Sequence, residues 1–286
     1  MDDLKCTEKL QDFIHFYDQA SIEQADLTRR LELWMNHYNF PHVPPGYKKY
    51  QLAREILEYG WSKYPFVYDK IKYFELTPSY WQRRLQEAKE ILSVDDPVAI
   101  HLLFFVAAFE TDPFILKENE ERYMICFPTE LPAIDFRLTQ ELARTIHAQT
   151  SGMAPSHTRT LAQLIFQEGV SLHTAHQLLD EEKRNEAFPF FHNDGCTREP
   201  NRIIMNILPH LNRRDYEALY SFTNGKGASG FEKEANYTGW NLVQYLLDQG
   251  VPLNELVSIQ AEDVDVFVER TLYSILNSAY TPQPQE

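Results

Sequence analysis

The sequence predicts an α+β protein that is mostly helical and carries one small β-sheet. Three observations lead there. Apolar residues recur every three or four positions along most of the 286 residues, which places them on one face of a helix. Breakers such as His42-Val43-Pro44-Pro45-Gly46 and Gly152-Met153-Ala154-Pro155 punctuate those stretches. Residues 98–108 (VAIHLLFFVAA) instead form a continuous β-branched and aromatic run between turn residues. That is the pattern of a buried strand, although a buried helix has a similar composition.

From the start of the chain, residues 3–92 read as mostly helical. Leu10, Phe13, Ile14 and Tyr17 mark one helix, and Leu27, Leu31, Trp34 and Met35 a second. Leu52, Ile56, Leu57 and Trp61 resume the spacing. Thr77-Pro78 has the N-cap and N1-proline form of a helix start, continued by Trp81, Leu85, Ala88 and Leu92. The character changes at Asp95-Asp96-Pro97, where the sheet begins. Residues 114–116 and 123–127 (Tyr123-Met124-Ile125-Cys126-Phe127) are two further short strands around a polar turn, and the second reads as an edge strand. Pro128 and Pro132 end it and lead into a helix at Asp135. Leu138, Leu142 and Ile146 give that helix its apolar face, and Gly152 and Pro155 end it. A second helix passes through Glu168 to Leu179. Residues 185–201 and 223–230 read as loops. Helices are expected at 203–208, 214–222, 237–247, 253–257 and 262–276, with residues 281–286 a disordered tail. The expected organisation is an N-terminal helical region, 1–92, and a second domain, 93–280.

Composition bounds the function. A net charge of −15 opposes phosphate-backbone binding, which needs a basic surface, and adsorption to anionic lipid. Neither a nucleic-acid nor a membrane partner is expected. The opening MDDLKCTEKL is charged and lacks the apolar stretch of a signal peptide. Cys6, Cys126 and Cys196 are odd in number and show no CxxC spacing, so no disulfide framework or thiolate zinc site is implied. A cytoplasmic protein is expected, of open oligomeric state.

Chemistry-bearing residues concentrate at 134–168. Near the end of the first helix stands His147-Ala148-Gln149-Thr150-Ser151. A zinc peptidase carries His-Glu-x-x-His at such a place. Positions i and i+4 put two imidazoles on one face, and the intervening glutamate activates the zinc-bound water. Here only the first histidine is present. Ala148 stands in place of the general base and cannot move a proton. Ser151 stands in place of the second ligand, and a neutral hydroxyl binds zinc poorly. Glu168 sits on the next helix where a third ligand would be. Elsewhere, Gly225-Lys226-Gly227 lacks the frame of a P-loop, and Cys196 lies near His192 and Asp194 in sequence alone.

The order of these elements resembles a gluzincin core: buried strand, polar turn, strand 123–127, motif helix, then a helix with Glu168-Gly169. In detail the chain resembles a mainly bacterial, uncharacterised family of predicted Zn-dependent proteases. Its members have a His-Glu-x-x-His helix, a glutamate before glycine on the next helix, and a later Tyr-x-x-Gly-like element opening a helix. The matching positions are His147 to Ser151, Glu168-Gly169, and Asn236-Tyr237-Thr238-Gly239-Trp240. The resemblance covers roughly residues 95–276. It implies a zincin-like domain with a small mixed sheet, His147 and Glu168 as vestigial metal ligands, and Tyr237 as an oxyanion-side hydroxyl.

The leading expectation is therefore a metallopeptidase homologue with a degenerate zinc motif. As an inactive pseudopeptidase it would hold a peptide or protein partner in a cleft beside the 123–127 strand, by strand addition. No cofactor is expected on this reading. Two alternatives stand beside it. One is an active metallohydrolase with zinc in a rebuilt site, using His157 or His173 as substitute ligand. The other is a helical protein-interaction module unrelated to zincins.

Overall fold

The computed structural model describes the chain except residues 1, 49, 155–157, 186–193 and 279–286, and leaves the side chains of 194 and 195 undescribed. His157, His192 and the tail at 281–286 therefore lie outside the described residues, as does much of the loop expected at 185–201. The described chain is mostly helical with one mixed four-stranded sheet. It divides into two compact units that interleave in sequence, Met1–Gln82 with Pro97–Ile134 and Arg83–Asp96 with Asp135–Glu286.

The first unit begins with a strand. β1 (Asp3–Glu8) lies in a stretch expected to be helical. It pairs in parallel with β2 (Ala99–Phe105), and this pairing draws the N-terminal helices into one unit with the sheet. β3 (Phe114–Lys117) and β4 (Arg122–Pro128) form an antiparallel hairpin, and β4 also pairs in parallel with β2. The order is β1-β2-β4-β3. The strand at 123–127 is thus interior, which corrects its expected place at the edge. β2 and β3 occupy both of its hydrogen-bonding sides, so no partner can pair with it. Among the described residues, the open sides belong to β1 and β3.

Helices α1 (Leu10–Ile22), α2 (Leu27–Leu33), α3 (Gln51–Glu55) and α4 (Tyr68–Lys72) complete the core of this unit. α2 widens into a π turn at Trp34–Tyr38, where Asn39 N–H reaches Trp34 O at 2.7 Å. The extra residue in that turn shifts which side chains face the core. Leu33, Trp34 and Tyr38 are buried, whereas Leu27, Leu31 and Met35, which shared the expected stripe, are exposed. α5 (Pro78–Leu92) starts at the predicted proline, and from Arg83 onward it belongs to the second unit. Behind β2, the loop at Val106–Phe109 is held by side chains. Tyr38 Oη donates to Val106 O at 2.9 Å, Tyr64 Oη donates to Ala107 O at 2.6 Å, and Glu130 accepts from Ala107 N–H at 3.0 Å.

The second unit is helical. α6 (Ile134–Ser151) and α7 (Leu161–Leu178) precede α8 (Asp194–Arg198), α9 (Pro200–Ile207), α10 (Tyr216–Thr223), α11 (Glu234–Asp248), α12 (Leu253–Leu256) and α13 (Ala261–Asn277). α7 opens on a capping box: Thr160 Oγ1 accepts from Gln163 N–H, and the Gln163 amide oxygen accepts from Thr160 N–H. α7 and α11 cross with their backbones touching. A Cβ on Gly169 would come within 2.2 Å of Gly239 O, and one on Gly239 within 2.2 Å of Ile165 O. Only glycine fits at either position. Among the described residues, no helix is long and apolar enough to cross a membrane.

Candidate functional site

The motif face of α6 is set by helical spacing. Gln140, Glu141, Arg144, His147, Ala148 and Ser151 succeed one another at intervals of one or three, so they project from one side. α7 presents Gln167 and Glu168, and α11 presents Asn236. The Gly169–Gly239 crossing brings the last two together, with Asn236 Nδ2 donating to Glu168 Oε2 at 3.2 Å. The two glycine-marked segments singled out in the sequence are therefore neighbours in this unit, and their glycines serve the crossing.

Glu168 is the hub. Arg144 Nη2 donates to both of its oxygens, at 2.7 and 2.8 Å, and Gln140 Nε2 donates to Oε2 at 3.0 Å. Arg159, from the segment joining α6 to α7, places Nη2 3.9 Å from Oε1. Arg144 Nη1 also donates to Glu141 Oε1 at 2.5 Å, and Arg159 Nη1 donates to Gln167 Oε1. Glu141, Arg144, Arg159, Gln167 and Glu168 are all buried. Two carboxylates and two guanidiniums form a charge-neutral network inside the helical unit. Glu141 Oε2, Arg144 Nε, Arg159 Nε, Gln167 Nε2 and Asn236 Oδ1 have no partner among the described residues.

Burial and charge act together on these groups. Burial pushes the Glu141 carboxyl up, against the pull of Arg144. Burial also opposes the charge on Arg144, yet Glu141 and Glu168 hold its pKa above the ordinary value. Arg159 is brought down to about 10 by burial and by the neighbouring Arg144. His147 is fully buried, its ring 5.4 Å from Phe166 in an edge-to-face contact. Burial and then Arg159 lower it to about 3, so its ring is neutral at pH 7. Neither of its ring nitrogens has a partner among the described residues.

These residues do not fit a zinc ion. A catalytic zinc takes three protein ligands and keeps a fourth position for water. Both oxygens of Glu168 are already hydrogen-bonded by cationic and amide donors. The cation that acts on His147 is Arg159, which disfavours a second positive ion. Ser151 is committed to its own helix end: its hydroxyl donates to His147 O at 2.7 Å and accepts from Met153 N–H at 3.3 Å. Ala148 is buried and offers no base. No group of three or more His, Cys, Asp or Glu residues able to hold a metal is present among the described residues.

The remaining candidates are held in other surroundings. His173, the alternative metal ligand, stacks on Trp240 with ring centroids 3.8 Å apart and donates from Nε2 to Trp240 O at 3.0 Å. Burial lowers it to about 4. Tyr237 packs with Cys196 and Ile203, and burial raises its hydroxyl to about 12. The Cys196 thiol is likewise pushed up to about 12 by burial and by Glu234, so it is not a thiolate. Glu141, Arg144 and Arg159 carry most of the site's charge and do not stand out in the sequence. Their one signal is Glu141 and Arg144 at i and i+3, on the same side as His147. Comparisons of the chain with protein-family models, with curated proteins and with solved structures return no match.

Proposed function

We propose that the chain is a zincin-like metallopeptidase homologue with a degenerate zinc motif, inactive at that motif and acting by binding a peptide or protein partner. One observation carries this reading. Glu168, the third ligand by resemblance, gives both oxygens to Arg144. A guanidinium there supplies the positive charge that a metal would bring, without its Lewis acidity. With Ala148 in place of the base, the motif keeps a scaffold and no means of activating water. The partner is an extended segment pairing with an open sheet side, and β1 is the longer of the two available.

The test is metal content and cleavage. Protein purified without chelator should carry far less than one zinc per chain and show no chelator-sensitive peptidase activity. Ala148→Glu with Ser151→His, made together with Arg144→Met to release Glu168, should gain zinc by elemental analysis. Stoichiometric zinc with cleavage by the unaltered chain would overturn the inactive reading. A triple variant that folds but gains no zinc would overturn the zincin descent.

A further inference from the structure

A second constellation lies on the sheet of the first unit. Thr7 on β1, His101 on β2 and Glu118, one residue beyond β3, project from the same face. The alignment of Lys5 with His101, His101 with Met124 and Leu116 with Met124 requires it. Thr7 Oγ1 lies 2.6 Å from His101 Nε2, and His101 Nδ1 lies 3.0 Å from Glu118 Oε1. A carboxylate only accepts, so Nδ1 carries the proton and donates to Glu118. In the neutral ring Nε2 then holds a lone pair and accepts from the Thr7 hydroxyl. The imidazole is 5% exposed and so kept in place, while Thr7 and Glu118 are partly exposed. Glu118 is in turn 3.9 Å from Arg122, which also pairs with Asp3.

We propose that Thr7, His101 and Glu118 form a nucleophile, general base and positioning carboxylate for acyl transfer from small activated carboxylic esters. Hydroxyl, imidazole and carboxylate in hydrogen-bond sequence are the signature of an activated oxygen nucleophile. Thr7 Oγ1 attacks the ester carbonyl as its proton passes to His101 Nε2. The ester C–O bond breaks, and His101 returns that proton to the departing alcohol. Water, deprotonated by the same nitrogen, then cleaves the Thr7 ester. The sum is ester plus water giving acid plus alcohol, with no further reactant.

The sheet also offers donors for the oxyanion. Asp3 N–H and Lys9 N–H bond across to Val98 O and Phe104 O. By the alternation of a strand, Cys6 N–H and Glu8 N–H on either side of Thr7 point to the side of β1 that carries no strand among the described residues. Cys6 does not compete as nucleophile at neutral pH, because burial pushes its thiol up to about 11. This site shares no residue with the Glu168 network, but a segment paired with the open side of β1 would take these same two N–H groups, so partner binding there and ester turnover exclude one another.

The probe is p-nitrophenyl acetate at pH 7.5, with nitrophenol release followed optically and the acetyl group located by fragment mass spectrometry. Acetylation at Thr7 is expected, with hydrolysis falling about 100-fold or more in Thr7→Val and His101→Gln. Thr7→Val keeps the β-branched shape, and Thr7→Ser should restore or raise the rate through a less hindered hydroxyl. Glu118→Gln should slow acylation while Glu118→Asp recovers part of it, which a merely structural bond would not require. Unchanged hydrolysis in folded Thr7→Val overturns the proposal. So does an unaltered chain that turns over the ester with acetyl on no residue, or on Cys6, Lys5 or Lys9 instead of Thr7.

Discussion

The two units bury polar groups in opposite ways. In the first, apart from the His101 chain, buried polar groups close singly on backbone: Tyr38 and Tyr64 against Val106 and Ala107, and Glu130 against the amides of Ala107 and Phe109. Aromatic rings fill the space between, with Phe40 stacked on Phe105 at 4.2 Å and Phe13 edge-on to Tyr64 at 4.9 Å. In the second, ions are closed on ions, with Arg144 between Glu141 and Glu168. A backbone-closed hydroxyl is a local matter, because losing it leaves one neutral group unsatisfied. An ion network is collective, because losing one member leaves an uncompensated charge in a medium that solvates it poorly.

The largest effect should come from breaking that collectivity. Arg144→Ala leaves Glu141 and Glu168 buried without their main cation, and should cost roughly 3–5 kcal/mol. Urea unfolding would measure it, and a cost below that of an ordinary neutral hydrogen bond would dissolve the contrast between the units. Gly239→Ala should cost about 3 kcal/mol, since its methyl meets Ile165 O at 2.2 Å and two helices must separate. That separation should also release Glu168 from Asn236, so the Gly239→Ala and Asn236→Ala costs should be less than additive.

The smallest effect is the pH response, which carries opposite signs in the two interiors. The folded pKa of His147 is lowered to about 3 and that of His173 to about 4, so between those values and the unfolded value near 6.5 the unfolded chain binds more protons. Their stabilisation is complete above pH 6.5 and fades as pH falls, by roughly 1 kcal/mol per histidine between pH 6.5 and 5.5. Glu130 is raised to about 7, mainly by burial. Its contribution is full below the unfolded carboxylate value and fades as pH rises through 7. Histidine-to-glutamine variants of the second unit should flatten the acid limb of the stability curve, and Glu130→Gln the neutral limb. A curve unmoved by either would break the assignment.

Much of the fold is legible in the sequence because most elements keep to their own periodicity. β2 announces itself as a run that is apolar on both faces, as an interior parallel strand must be. α5 begins at its Thr77-Pro78 signal and α6 ends at Gly152. β1 escapes notice for the converse reason. Leu4 and Cys6 alternate with Asp3, Lys5 and Thr7 over only six residues, a weak period-2 signal flowing directly into a helix. The π turn at Trp34–Tyr38 is equally hidden, since tertiary packing rather than local pattern decides which turn widens. At the site, His147 and Glu168 stand out but their company does not. Glu168 is filled by Gln140 and Arg144 from α6 and by Asn236 from α11, with Arg159 3.9 Å away on a connecting segment, and no helical period encodes that meeting of separate elements.

The interleaving of the units bears on how the chain is made. Thr7 meets His101 across 94 positions, and residues 83–96 belong with a unit whose remainder starts at 135. During synthesis, β1 emerges well before β2 and waits for it with an unpaired backbone on both sides. The segment at 83–96 is then made before most of its own core exists. Neither unit can close as a finished stretch of chain leaves the ribosome, and both depend on long-range pairing, the slow kind of contact. The nascent chain therefore spends the whole interval between the making of β1 and of β2 without a completed core.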